Sequence, residues 1–164
     1  MPLITQTTRI KAPAKRVFDL SRSIELHLQS AGDTNERAIG EITTGLMTEG
    51  QELTWEGSHL RFRQSLTVKI TEFHRPDSFT DEMVKGPFSH MKHVHRFEES
   101  DEKVTTMIDE FDYSTRGGLL GWFIENSYLT AHLRRFLAER NKVIKRVAES
   151  EEWREFLKDE PLED

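Results

Sequence analysis

Three imidazoles lie close together in the pattern His90-x-x-His93-x-His95. On a strand, residues two apart share a face, so His93 and His95 are neighbours and His90 points away. Paired imidazoles can present lone pairs to a divalent ion or exchange protons near neutral pH. A metal needs a third convergent donor, and Asp109 and His59 are the groups available from adjacent strands. H-x-H alone does not supply one, so no metal and no cofactor is expected. Carboxylates are better represented: Asp81, Glu82, Asp109 and Asp112. Alternation puts Asp81 on a face with Phe79 and Met83, and Asp109 on a face with Met107, Phe111 and Tyr113. A carboxylate on such an apolar face needs a partner, and His93 or His95 is the obvious one. A His–Asp pair can perform acid–base chemistry or orient a ligand's hydroxyl or carbonyl. The catalytic candidates are therefore His93, His95 and Asp109, with Tyr113 as a further donor. Register decides the outcome, because a slip of one residue turns Asp109 to the opposite face.

Other chemistries are excluded by what is missing. The chain has no Cys, which rules out disulfide scaffolds, thiol catalysis and Cys-based zinc sites. It has no G-x-S-x-G, H-E-x-x-H or dinucleotide fingerprint. Gly117-Gly118-x-x-Gly121 lacks the Lys-Ser/Thr ending of a phosphate loop. The net charge of −6 gives no electrostatic drive toward nucleic acid or anionic lipid. Arg134, Arg135, Arg140, Lys142, Lys145 and Arg146 crowd one segment and read as the solvated face of a helix. No apolar run is long enough for a membrane span, and residues 1–6 do not resemble a signal peptide. The expectation is a cytoplasmic protein, without stable membrane insertion, that is a monomer or a weak homodimer.

The elements that carry these residues follow from periodicity. Residues 3–11 read as a strand, 13–21 as a short helix and 24–30 as a second helical turn or two. Strand texture then covers 37–43, 46–48, 51–59, 61–73, 78–85, 88–98 and 104–113, separated by turn chemistry. From Leu119 a helical pattern recurs every three or four positions through Leu133, Leu137, Arg140, Ile144 and Val147, all but Arg140 apolar, which predicts one long helix over 119–148. The expected domain is 1–150, followed by an acidic tail at 151–164 in which Trp153, Phe156 and Leu157 could dock. Sequential strands with hairpin turns make an antiparallel meander. The single amphipathic helix must bury its stripe on that sheet. A twisted sheet curls, so a cavity between helix and sheet is expected. Its candidate walls are Trp55, Phe62, Met83, Phe88, Met91, Phe111 and Tyr113, closed from the helix by Trp122, Asn126, Leu129 and Leu133.

This order resembles the α+β helix-grip fold of the START/Bet v 1-like superfamily, also called SRPBCC or polyketide-cyclase/dehydrase-like. Ile10-Lys11-Ala12-Pro13 followed by Val17-Phe18 is similar to its opening step from strand to helix. Ile70-x-x-Phe73-His74-Arg75-Pro76-x-x-Phe79 resembles its central strand-turn-strand. Asp109-x-Phe111-x-Tyr113 before Gly117-Gly118-x-x-Gly121 resembles its last strand and the lead into the long helix. Many members carry Pro where this chain has Arg116-Gly117. The resemblance implies a curved antiparallel sheet of six or seven strands around a C-terminal helix. It also implies a small hydrophobic ligand, such as a lipid, polyketide or aromatic compound. It names no reaction, because members include both carriers and cyclases. Three readings stay open: a carrier or sensor, a cyclase, dehydratase or isomerase, and a protein-interaction module.

Overall fold

The computed structural model describes residues 2–59, 61–115 and 128–158. The chain opens with strand β1 (Leu3–Ile10), helix α1 (Ala14–Ser21) and helix α2 (Ile24–Ser30). Pro13 stands at the N-cap of α1, just outside it, with extended backbone. The Ala14 N–H is satisfied by Glu99 Oε2 at 2.6 Å, and Ser23 caps α2 by accepting from the Leu26 N–H. After a 3-10 turn at Gly32–Thr34 come β2 (Arg37–Ile39), β3 (Glu52–His59), β4 (Phe62–His74), β5 (Ser78–Lys85), β6 (His90–Glu99) and β7 (Thr105–Ser114). Helix α3 (Thr130–Ala148) and the short α4 (Trp153–Phe156) complete the described elements.

All seven strands form one antiparallel sheet in the order β1-β7-β6-β5-β4-β3-β2. The architecture is the expected α+β helix grip. Two register shifts interrupt the β4–β5 pairing, between Thr67 and Val68 and between Ile70 and Glu72. Such bulges sharpen the twist and bend the strand that carries them. Helix α3 lies against β1, α1 and α2. It is tied to β1 by Gln6 Nε2 donating to the Arg134 carbonyl at 2.6 Å and Lys145 Nζ donating to the Arg9 carbonyl at 2.7 Å. No helix among the described residues is long and apolar enough to cross a membrane.

Two sequence expectations change. The strand expected at 37–43 stops at Ile39, where Gly40 takes a φ of 147°. The segment 46–48 forms no strand: Leu46 makes a single bridge to Ser23, and the Met47 N–H donates to the Arg22 carbonyl. Of the helix expected over 119–148, residues 119–127 lie outside the described residues. Residues 151–158 pack onto the domain, since Trp153 and Leu157 are buried in the same apolar cluster as Phe18, Val147 and Ala148.

The buried apolar residues form two clusters. One is built around Phe18, whose ring meets Phe73, Phe79 and Phe97 edge-on at centroid distances of 5.2, 5.3 and 5.3 Å. The other contains Ile4, Val68, Phe88, Met91, Phe111, Tyr113 and Leu137. Polar side chains run between them on β6, β7 and α3. On β7 the inward order is Met107, Asp109, Phe111; on β6 it is Phe97, His95, His93, Met91; on α3 it is Ile144, Asn141 and Arg140, Leu137.

Candidate functional site

The hairpin β6–β7 sets the site. Both strands alternate strictly through their middle, with Met91, His93, His95 and Phe97 buried on one strand and Met107, Asp109, Phe111 and Tyr113 on the other. His95 pairs directly with Asp109, and His93 with Phe111. On the other side of β6, His93 pairs with Asp81 and His95 with Phe79. This register turns Asp109 inward, where it is 0% exposed. His90 points to the outer face and meets Asp112 at 3.5 Å.

Asp109 is held from four sides. His93 Nε2 lies 3.1 Å from Oδ1, and Asn141 Nδ2 donates to Oδ2 at 2.7 Å. His95 Nδ1 stands 2.8 Å from Oδ1 in an ion-pair contact whose geometry falls short of a hydrogen bond. Arg140 Nη1 is 3.6 Å from Oδ1, while its Nη2 donates to the Ser21 carbonyl at 2.8 Å. Asp81 accepts from His95 Nε2 at 3.0 Å and lies 3.9 Å from His93 Nδ1. The imidazoles sit on each other, centroids 3.8 Å apart, and His95 stacks on Phe79 at 4.2 Å.

This packing separates the protonation behaviour of the groups. Burial pushes Asp109 up, but the hydrogen bond from His93 and the close approach of His95 hold its carboxyl well below the usual range. Asp81 is also lowered: burial opposes ionisation, and the His95 bond and the His93 charge outweigh it. Burial and the charge of His95 push His93 down. Burial also disfavours charged His95, yet its two carboxylate partners raise it overall. As pH falls, His95 therefore takes a proton before His93.

A depressed carboxylate contributes stability that is present above its unfolded value and is lost as pH falls through the folded one. His93 acts in the same direction, its contribution disappearing as pH falls below the unfolded imidazole value. Raised His95 acts oppositely, its contribution fading as pH rises through the folded value. The imidazoles thus oppose each other near neutrality, and the acid limb belongs to the carboxylates. Urea midpoints measured against pH should drop below about pH 4, and Asp109→Asn should flatten that limb.

Above this network lies a cavity of about 300 Å³ between the sheet and α3. The sheet contributes Trp55, Leu66, Val68, Met91 and Phe111, the β5–β6 connection Phe88, and α3 contributes Leu133, Phe136 and Leu137, with Leu129 just before it. Asp81, His93, His95 and Arg140 also line it. Trp55 is fixed by stacking on His27 at 3.8 Å, and His27 in turn meets Glu36 at 2.7 Å.

Of the sequence-derived site residues, Trp55, Met91, His93, His95, Phe111 and Leu129 line the cavity. Asp109 stands directly behind the two imidazoles. Met83 packs against the apolar cluster around the cavity without lining it. Tyr113 is 0% exposed and its hydroxyl lies 2.7 Å from Thr130 Oγ1, so its hydroxyl is engaged in the core and does not serve as a donor in the cavity. Phe62 is a correction. It has inward parity on β4, but it sits at the tip of the β3–β4 hairpin, beyond Gln64, and is 71% exposed. Trp122 and Asn126 lie outside the described residues.

The site derived from sequence lacks Asp81, Arg140 and Asn141. Charge alone groups Arg140 with a solvated basic face, yet it is 6% exposed. Its spacing from Leu133, Leu137 and Ile144 places it in the buried stripe, and that spacing is the signal that identifies it. Asp81, His93 and His95 each offer one donor atom, all within 4.8 Å of one another. The third donor beside the H-x-H pair is therefore Asp81.

No family model matches the chain, and no curated protein matches it in sequence. Solved structures do match in fold. The protein TTHA0849 from Thermus thermophilus superimposes with a TM-score of 0.73 at 13% identity, over 88% of this chain and 95% of that one. The ZhuI aromatase/cyclase from Streptomyces sp. R1128 gives 0.72 at 17% identity, over 90% and 93%. A START superfamily protein from Mycobacterium smegmatis gives 0.68 at 10% identity, over 90% and 97%. At such identities the likeness is one of fold. The seven-stranded antiparallel sheet, the helix α3, the cavity between them and these superpositions together assign the chain the helix-grip fold that the START superfamily protein and the aromatase/cyclase share.

Proposed function

We propose that the protein binds a small, mainly apolar molecule that carries an oxygen function at one end. The observation that carries this reading is the asymmetry of the cavity. Its lining is mostly aliphatic and aromatic, and among the polar groups that interrupt it His93, His95, Asp81 and Arg140 gather around the buried Asp109. Arg140 Nη1 is buried and makes no hydrogen bond among the described residues. A guanidinium N–H in that position is costly unless something accepts from it. A ligand carbonyl, hydroxyl or carboxylate would supply the acceptor, and its hydrocarbon part would fill the rest. A volume of about 300 Å³ stands at the small end of the range for ligand pockets, which favours a compact molecule over a long lipid.

A panel of aromatic ketones and phenols, each paired with its oxygen-free hydrocarbon, tests the reading. Binding is followed by thermal shift and by the emission of Trp55, whose ring borders the cavity. Saturable binding of the oxygenated members is expected. Arg140→Met should weaken them roughly 10- to 100-fold, the worth of a hydrogen bond to a charged group, and leave the hydrocarbons little changed. If no member binds, or if the variant binds ketones as well as the wild type does, the proposal is wrong.

A second reading is acid–base catalysis on that oxygen function. It is favoured by the opposite displacement of the two imidazoles, one depressed and one raised, at the same cavity wall. The likeness to an aromatase/cyclase is compatible with it. Turnover of a carbonyl compound, lost in His93→Gln while binding persists, would place catalysis above carriage.

A further inference from the structure

We infer that Asp81, His93 and His95 form a binding site for a divalent first-row transition ion at the inner wall of the cavity. This goes beyond the ligand proposal and does not depend on it. The ground for expecting no metal was the missing third donor, and the fold supplies that donor from β5. What distinguishes the cluster from an ordinary His–Asp contact is the placement of Asp109. Its Oδ1 lies 3.1 Å from His93 Nε2 and 2.8 Å from His95 Nδ1. One buried carboxylate oxygen thus hydrogen-bonds the inner nitrogen of His93 and stands in close contact with that of His95. Their other nitrogens, His93 Nδ1 and His95 Nε2, are turned toward the same atom, Asp81 Oδ2, at 3.9 and 3.0 Å.

That is the arrangement in which a carboxylate behind each metal-bound imidazole fixes its tautomer and aims its lone pair. Donors around a tetrahedral zinc ion stand roughly 3.3 Å apart, given bonds of about 2.0–2.1 Å. The present separations bracket that value, so small side-chain rotations suffice. The ion would replace the proton now shared between His95 Nε2 and Asp81. Two imidazoles and one carboxylate suit zinc or ferrous iron and do not suit magnesium or calcium, which prefer oxygen. All three donors line the cavity, so the fourth position opens onto it. Arg140 faces Asp109 from the other side, 3.6 Å away. With two carboxylates, this guanidinium and a divalent ion, the set carries one positive charge. The fourth ligand is therefore an anion, such as hydroxide or a carboxylate.

The test titrates the full-length, metal-stripped protein with Zn²⁺ by calorimetry and with Co²⁺ by visible absorption, using Mg²⁺ as control. One ion per chain, a rise in melting temperature with Zn²⁺ but not Mg²⁺, and the intense visible bands of low-coordinate Co²⁺ are expected. Asp81→Asn and His93→Gln should each weaken Zn²⁺ binding at least 100-fold, and Asp109→Asn roughly 10- to 100-fold. His90→Gln, on the outer face, should change nothing. Circular dichroism of each variant shows whether it remains folded. The wild-type melting shift needs no variant at all. Absence of saturable Zn²⁺ binding by the wild type overturns the inference. So does Zn²⁺ binding that survives in folded Asp81→Asn and His93→Gln.

Discussion

Replacing Asp109 by alanine should lower the unfolding free energy by roughly 3–5 kcal/mol, the usual cost of removing one partner from a buried ionic network. In the wild type the buried Asp109 carboxylate faces the imidazoles of His93 and His95 and the Arg140 guanidinium. Alanine removes that negative charge from beside the guanidinium. It also leaves His93 Nε2 and Asn141 Nδ2 without the oxygens to which they now bond. Each buried donor left without an acceptor adds its own desolvation penalty. Neither cost can be escaped by a side chain swinging to solvent, because β6, β7 and α3 enclose the position. Urea unfolding followed by circular dichroism measures the loss. A cost under about 1 kcal/mol would mean that water reaches the network.

Phe18→Ala should cost about as much, roughly 3–5 kcal/mol, by a different route. Phe18 is 0% exposed and meets three other aromatic rings edge-on. Truncation removes those contacts and leaves a cavity lined by residues of α1 and several strands, which cannot collapse together. The two variants separate in their pH response. Phe18→Ala should shift the urea midpoint by a similar amount at every pH, since no titrating group is touched. Asp109→Ala should lose most of its effect in acid, where the wild-type carboxylate is itself protonated. Parallel pH profiles for the two variants would contradict this division.

The central strands are legible in sequence because the two faces of each strand differ in polarity. His93, His95 and Asp109 stand at odd positions with Met91, Phe97, Met107 and Phe111, and a period of two admits one inward face. What sequence leaves open is the register, and the fold resolves it by pairing His95 with Asp109. The departures have local causes. Residues 40–43 and 46–48 have strand-like composition, but Gly40 and Gly45 adopt positive φ, which breaks the pairing before it can extend. Phe62 has the right parity but the wrong height, and height along a strand is set by where the helix lies. For Arg140, charge misleads and the place in the helical repeat carries the information. Asp81 meets the imidazoles as its parity on an apolar face suggests, and what the sequence leaves open is that both rings turn to the same oxygen.

The polar layer crossing the interior has a consequence for how such a molecule can change over time. Below it, Phe18 with Phe73 and Phe97 provides cohesion outside the cavity lining, which Phe79 alone of those four rings reaches. Above it, the walls around Met91 and Leu133 face empty space and contribute less to holding the chain together. Substitutions around Met91 and Leu133 can therefore reshape the upper chamber with little penalty to folding, while changes around Phe97 and Met107 can harden the fold without altering the chamber's walls.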